Sequence, residues 1–185
     1  MTIDTIKQSI PDYAKDLRIN LGTVLDADGT PGLNDSQRYG VAVAVAYALG
    51  DGELLAAIEA QAGDELDDAY RQGARAAAAI MGMNNIYYRF LHLTKNPEYS
   101  QLPARLRMSV IGNPGIDKAD FELFSLAVSA VNGCGMCVDS HEKVVRQHGL
   151  SAEGVQSAVR IAAVIHAVAA VRRNTTDQQA AAEAA

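Results

Sequence analysis

The stretch Phe121-Glu-Leu-Phe-Ser-Leu-Ala-Val-Ser-Ala-Val-Asn-Gly-Cys-Gly-Met-Cys-Val-Asp-Ser-His141 decides how this chain is read. Residues 121–131 are almost wholly apolar or small, as in a helix buried on most of its surface, with one carboxylate, Glu122, inside the run. Asn132-Gly133 stops that helix and Cys134-Gly-Met-Cys137 opens the next. Both sulfurs then lie in a first helical turn, where N–H groups without helical partners and the positive end of the dipole stabilise a thiolate. Residues three apart share a helix face, so the pair can approach disulfide distance, and the His141 imidazole, one turn further on, can reach the second sulfur. Glu122 needs a partner if it is buried, and a His–thiol pair across the turn would supply one.

The rest of the chain fits this helix–break–helix frame. At 185 residues it can bury a real core without a staple. Ala, Leu, Val and Ile dominate, Trp is absent and aromatics make up 5%, a composition that favours packed helices over sandwiches or barrels. The expected fold class is all-α. A formal charge of -6, spread along the chain, repels phosphate backbones and anionic lipid, which argues against nucleic acid and membrane partners. Residues 1–8 lack the charged-then-apolar pattern of a signal peptide, and the longest apolar stretch, Ile161 to Val171, is too short to span a bilayer. A cytoplasmic location is expected, where a close Cys-x-x-Cys pair is more often redox-active or metal-binding than a structural bridge.

Apolar spacing and stop signals predict the elements. Ile3 to Leu25 shows helical spacing, with Pro11 in an early turn of a helix beginning nearby; Asp26 to Gly32 is a turn; Asn34 or Asp35 caps a helix to Leu49. Short and long helices follow over Glu53–Ala62 and Asp64–Met83, with residues 84–92 either continuing the second or starting another. Residues 94–103 are looser, a helical pattern from Ala104 ends at Gly112, and Asp117 caps a helix over Lys118–Val131. Gly149 ends the cysteine helix, and Ser151 caps a last one reaching roughly Arg173, where Arg172-Arg173 ends in water. The tail, 176–185, has no core-facing stripe and is expected to fray.

A repeat emerges when the chain is shifted by 83 places: Leu33-Asn34 falls on Ile116-Asp117, Ala44-Val45 on Ala127-Val128 and Gly50 on Gly133. The chain is therefore read as one helical domain of two pseudo-repeated halves, about 1–93 and 94–175. Asp51, Leu54 and Ile58 occupy the places of Cys134, Cys137 and His141, so only the second copy carries the thiols.

Other chemistries compete for the cysteine pair. Structural zinc needs four ligands, and only His141 and His148 stand nearby, seven apart. An inert disulfide would close too small a loop to stabilise much, and buried unreactive thiols also occur. A thioredoxin-like site is framed by Trp and Pro in a βαβ context that this chain lacks. Elsewhere, His166 in the apolar run reads as a core histidine, His148 as a helix cap, and Tyr87, Tyr88 and Phe90 as core or subunit contact. His92 has no companion ligand nearby, and Asp64 to Asp68 reads as a solvated helix start.

The run from Phe121-Glu122 through Leu126-Ala-Val-Ser-Ala-Val-Asn-Gly to Cys134-x-x-Cys137-x-x-x-His141-Glu142 resembles the signature of the AhpD-like alkylhydroperoxidases, within the carboxymuconolactone-decarboxylase-like superfamily. Met83-Asn-Asn-Ile-Tyr-Tyr-Arg-Phe90 is similar to the same family, and the resemblance covers nearly the whole chain. It implies an all-helical fold of two related halves, commonly a trimer, and an antioxidant, thiol-dependent hydroperoxide reductase with no bound cofactor. Cys137 would be attacked by peroxide and become a sulfenic acid, Cys134 would be proton donor and resolving thiol, and a Cys134–Cys137 disulfide would close the cycle. Glu122 and His141 would form the proton relay. Electrons would come from dihydrolipoamide on a lipoyl-bearing dihydrolipoamide acyltransferase and could pass to an AhpC-type peroxiredoxin. The helix dipole alone favours Cys134 as the more acidic thiol. Met136 stands where some family members place a His between the cysteines, which removes one auxiliary donor. Two other readings remain: a carboxymuconolactone-decarboxylase-type lyase on the same scaffold, and a non-catalytic helical module.

Overall fold

The computed structural model describes the backbone of residues 1–183 and the side chains of residues 1–175. Among the described residues there are ten α-helices and no strand. They are α1 (Ile3–Ser9), α2 (Asp16–Val24), α3 (Asp35–Leu49), α4 (Gly52–Ala62), α5 (Asp68–Leu93), α6 (Glu98–Gln101), α7 (Ser109–Gly112), α8 (Lys118–Val131), α9 (Gly135–Gln147) and α10 (Ala152–Glu183).

Two helices form the centre. Arg38 to Ala46 of α3 and Asp120 to Ser129 of α8 are buried without interruption, the behaviour of helices enclosed on all sides. They pack on each other, α5 and α10 each pack on both, α4 lies on α3, and α9 lies on α8 and α5. The central crossing is close: a Cβ on Gly40 would lie 2.1 Å from Cζ of Phe124, a ring with no exposed surface. Only a bare backbone fits against that ring.

Most buried polar groups in this core are paired. Asp120 accepts hydrogen bonds from Gln37 Nε2 of α3 and the Tyr70 hydroxyl of α5, each at 2.7 Å, joining three helices. Burial, then the hydrogen bond to Asp120, pushes the Tyr70 hydroxyl well above its ordinary pKa, so it stays a donor. At the opposite end, Arg172 pairs with Asp51 at 2.8 Å and Glu53 at 2.6 Å, tying α10 to the start of α4. Burial pulls its pKa down, but the hydrogen bonds to Asp51 and Glu53 outweigh that and hold it above the ordinary value. Arg172 is thus a largely buried tie, not a solvated helix end.

The caps fall where local chemistry puts them. Asn34 and Gln37 form a reciprocal capping box at α3, Asp117 accepts from the N–H groups of Ala119 and Asp120, and Ser151 Oγ accepts from Gly154 N at 3.0 Å. Four expectations are corrected. Ile3–Leu25 is two helices separated by a short 3₁₀ turn at Asp12–Ala14, because Pro11 forces Ile10 into extended backbone and cannot donate to a preceding carbonyl. α5 starts at Asp68, since Asp67 rather than Asp64 caps it through Tyr70 N, and it runs unbroken to Leu93. Residues 104–108 are not helical: Arg105 has a φ of 52°, and only Ser109–Gly112 forms a turn of helix. α10 continues past Arg173 to Glu183, so the tail expected to fray over 176–185 is helical as far as Glu183, and residues 184–185 lie outside the described residues.

Taken whole, Ala152–Thr175 is long and apolar enough to cross a membrane by length and composition, which corrects the shorter count. Its Ala158, Ile161, Ile165, Val168 and Ala169 are nevertheless fully buried, and the helix packs on α2, α3 and α8 as a core helix does. His166 sits on the outer face of α10 and is exposed, not a core histidine, because the inward stripe passes through Ile165 and Ala169. Gly40→Ala should lower unfolding stability by about 2 kcal/mol or more through overpacking against Phe124. Urea titration should show a lower midpoint with an unchanged slope.

Candidate active site

Gly133, with a φ of 68°, reverses the chain between α8 and α9, a conformation that a side chain would strain. Cys134 follows as the N-cap of α9 with φ -93° and ψ 89°. The turn between α3 and α4 has nearly the same form: Gly50 at φ 71°, then Asp51 at φ -89° and ψ 89°. There the Asp51 carboxylate accepts from Leu54 N at 3.0 Å and caps α4. Cys134 supplies no such cap, so the first-turn N–H groups of α9 stay available to negative charge on sulfur.

Cys134 and Cys137 are joined in a disulfide, with Cα atoms 5.3 Å apart. The two sulfurs differ in setting. Cys134 is 0% exposed, whereas Cys137 is 6% exposed and lines a pocket of about 390 Å³. Glu122, 5% exposed on α8, is held by His141 of α9 through Nδ1 to Oε2 at 2.6 Å. The imidazole makes no hydrogen bond to either sulfur; its Nε2 lies 3.3 Å from Met81 Sδ. A bridged sulfur carries neither a proton nor a charge, so the expected reach to Cys137 has nothing to hold in this state.

The pocket joins these groups. Glu122, Cys137 and His141 line it together with Met136, with Met81, Asn84 and Tyr88 of α5, and with Met108 and Ile111. Cys134 does not line it. Among the described residues, no three His, Cys, Asp or Glu side chains are placed to share a metal ion.

Comparison with known proteins fits this geometry. Residues 97–176 match the carboxymuconolactone decarboxylase family. The chain is 55% identical over 171 residues to the alkyl hydroperoxide reductase AhpD of Maricaulis maris, covering 92% of this chain and 97% of that protein. This chain belongs to the AhpD family. Proteins with the same name from Rhodospirillum centenum, 57% identical over 92% of this chain and 90% of theirs, and Rhodopseudomonas palustris strain BisB18, 52% identical over 99% and 100%, agree. The all-helical fold expected from the family resemblance is the fold observed.

Of the four residues singled out from sequence, the disulfide joins Cys134 to Cys137 and a hydrogen bond joins Glu122 to His141. His148 Nδ1 lies 2.9 Å from the Val144 carbonyl at the end of α9, consistent with a cap, and His92 is exposed on α5. Tyr87 and Tyr88 stack edge-on with each other, and Phe90 does so with Tyr99. Met81, Asn84 and the pocket position of Tyr88 were not assigned from sequence. Their spacing of three and four marks one face of α5, but only the packing of α5 on α9 brings that face to the thiols. In the reduced protein, iodoacetamide should label Cys137 at least about 10-fold faster than Cys134, because only the first opens to the pocket. Peptide mass spectrometry after one equivalent measures the ratio, and equal labelling would refute the difference in access.

Proposed function

We propose that this protein is a thiol-dependent alkyl hydroperoxide reductase that cycles through the Cys134–Cys137 disulfide. The observation that carries the reading is the joined pair with one sulfur, Cys137, in the wall of a pocket that also holds the Glu122–His141 pair. The printed names of the AhpD relatives support the same activity.

In the reduced state, His141, steadied by Glu122, takes the Cys137 proton as general base. The thiolate attacks the terminal peroxide oxygen, the O–O electron pair leaves on the inner oxygen, and that alkoxide takes up a proton to become the alcohol. Cys137 is left as a sulfenic acid. The Cys134 thiol then attacks the sulfenic sulfur, water departs, and the disulfide forms. Exposure favours Cys137 over Cys134 as the peroxide-reactive thiol even though the helix start favours charge on Cys134. The electron donor in this proposal is dihydrolipoamide carried by a dihydrolipoamide acyltransferase, whose two thiols become a disulfide as Cys134 and Cys137 are restored. An AhpC-type peroxiredoxin is the proposed partner for a second, disulfide-reducing role, in a cytoplasmic homotrimer. Met136, 39% exposed at the pocket, has no proton to give, so proton delivery falls to Cys134 and the relay.

A carboxymuconolactone-decarboxylase-type lyase has no use for a redox dithiol, and the paired sulfurs beside the relay weigh against it. One equivalent of an organic hydroperoxide should remove both thiols of the reduced protein. Cys137→Ser should abolish this loss, and Cys134→Ser should stop at a sulfenic acid that dimedone traps. Glu122→Gln should slow peroxide consumption by about 10²-fold, the usual worth of a general base system. Normal turnover by Cys137→Ser, or lactone decarboxylation that survives thiol alkylation, would overturn the proposal.

A further inference from the structure

Asn84 shares a face of α5 with Met81 and Tyr88 and lines the pocket that holds Cys137 and His141. It is 5% exposed, and its Oδ1 is sealed from water without a hydrogen-bond partner. The next residue shows the contrast. Asn85, with no exposed surface, donates from Nδ2 to Ser129 Oγ at 2.8 Å and accepts from Asn132 Nδ2 at 2.9 Å. Two other buried polar atoms lack partners, Ser125 Oγ and Arg75 Nε, but neither residue lines the pocket. A buried carboxamide with an unmet acceptor destabilises a fold, and a leucine of the same shape would not. With Oδ1 sealed, the Nδ2 end is the part of the amide left to meet a group that arrives in the pocket.

We infer that Asn84 grips the hydroperoxyl group of the substrate, a deepening that rests on the peroxide-reductase reading above. A –O–O–H group presents an acceptor on its inner oxygen, and the carboxamide presents a matching donor in Nδ2–H. Nδ2–H donates to the inner oxygen. When the Cys137 thiolate attacks, the terminal oxygen keeps its proton and becomes the sulfenic O–H. The O–O pair moves to the inner oxygen, and Nδ2–H stabilises the charge that develops there more strongly than it does the neutral substrate. Such a donor matters here because the Met136 side chain, beside Cys137, carries no N–H.

Single-turnover stopped flow of pre-reduced protein with cumene hydroperoxide tests this, with iodoacetamide alkylation of Cys137 across pH as the companion readout. Asn84→Leu should keep or raise the thermal midpoint, leave the alkylation rate and its pH midpoint within about two-fold, and slow the peroxide step by about 10²-fold, the usual effect of losing one such donor. Asn84→Ala serves as a second variant should leucine misfold. An unchanged peroxide rate in a folded variant, or alkylation that falls in parallel, would overturn the role of Asn84. Wild-type protein in the same run separates the two levels: if its thiols fail to react with peroxide, the reductase reading falls and the Asn84 assignment with it.

Discussion

A carboxylate set inside the continuously buried face of α8 constrains everything around it. Ionised and enclosed, Glu122 would cost several kcal/mol without a partner. His141 supplies that partner at 2.6 Å, and the bond fixes how α9 is rolled against α8. With Val145 of the same helix fully buried, the roll turns Cys137, one turn before His141, toward the pocket and leaves Cys134 beneath the surface. Packing, charge compensation and the exposure of one sulfur are one geometric decision.

The two halves of the chain use similar turns for different ends. Lys118 lies 83 positions after Asp35 and Gly135 lies 83 after Gly52, so α8 and α9 begin at the places corresponding to α3 and α4. At the first turn the N-cap position holds Asp51, which closes the helix start and pairs with Arg172. At the second it holds Cys134, which does neither while it is bonded to Cys137. A position that stabilises in one half is left chemically open in the other. The stability contributed by Asp51 and Arg172 lies at a helix start remote in sequence from the pocket, so the thiol turn is free of that duty.

Much of the fold was legible because the chemistry that sets it is local. Asn34 with Gln37, Asp117, Gly50 and Gly133 mark their helix boundaries through caps and left-handed turns that depend on a few neighbouring residues. The Glu122–His141 contact was legible because a lone carboxylate in an apolar run demands a partner and the nearest candidate stood one helix away. Residues 104–108 misled because their apolar spacing suits a helix while the backbone at Arg105 leaves the helical region. Arg172 misled because its partners, Asp51 and Glu53, are remote in sequence, and a charged helix end reads as solvated until they are seen. The α5 wall of the pocket had a visible period but no visible target: Met81 and Asn84 acquire meaning only once α5 is laid against α9.

The short span between the two cysteines also bears on damage. A sulfenic acid left waiting in a peroxide-rich pocket can react a second time and become an irreversible sulfinic acid. With the Cα atoms 5.3 Å apart in a single turn, the thiol proposed to resolve it needs no loop to unfold and no chain to diffuse before it strikes. Well-oriented intramolecular partners behave as if present at about 10⁵ M or more, far above any peroxide concentration. In the proposed cycle, ring closure therefore outpaces hyperoxidation by geometry alone, and the catalyst survives the excess of its own substrate.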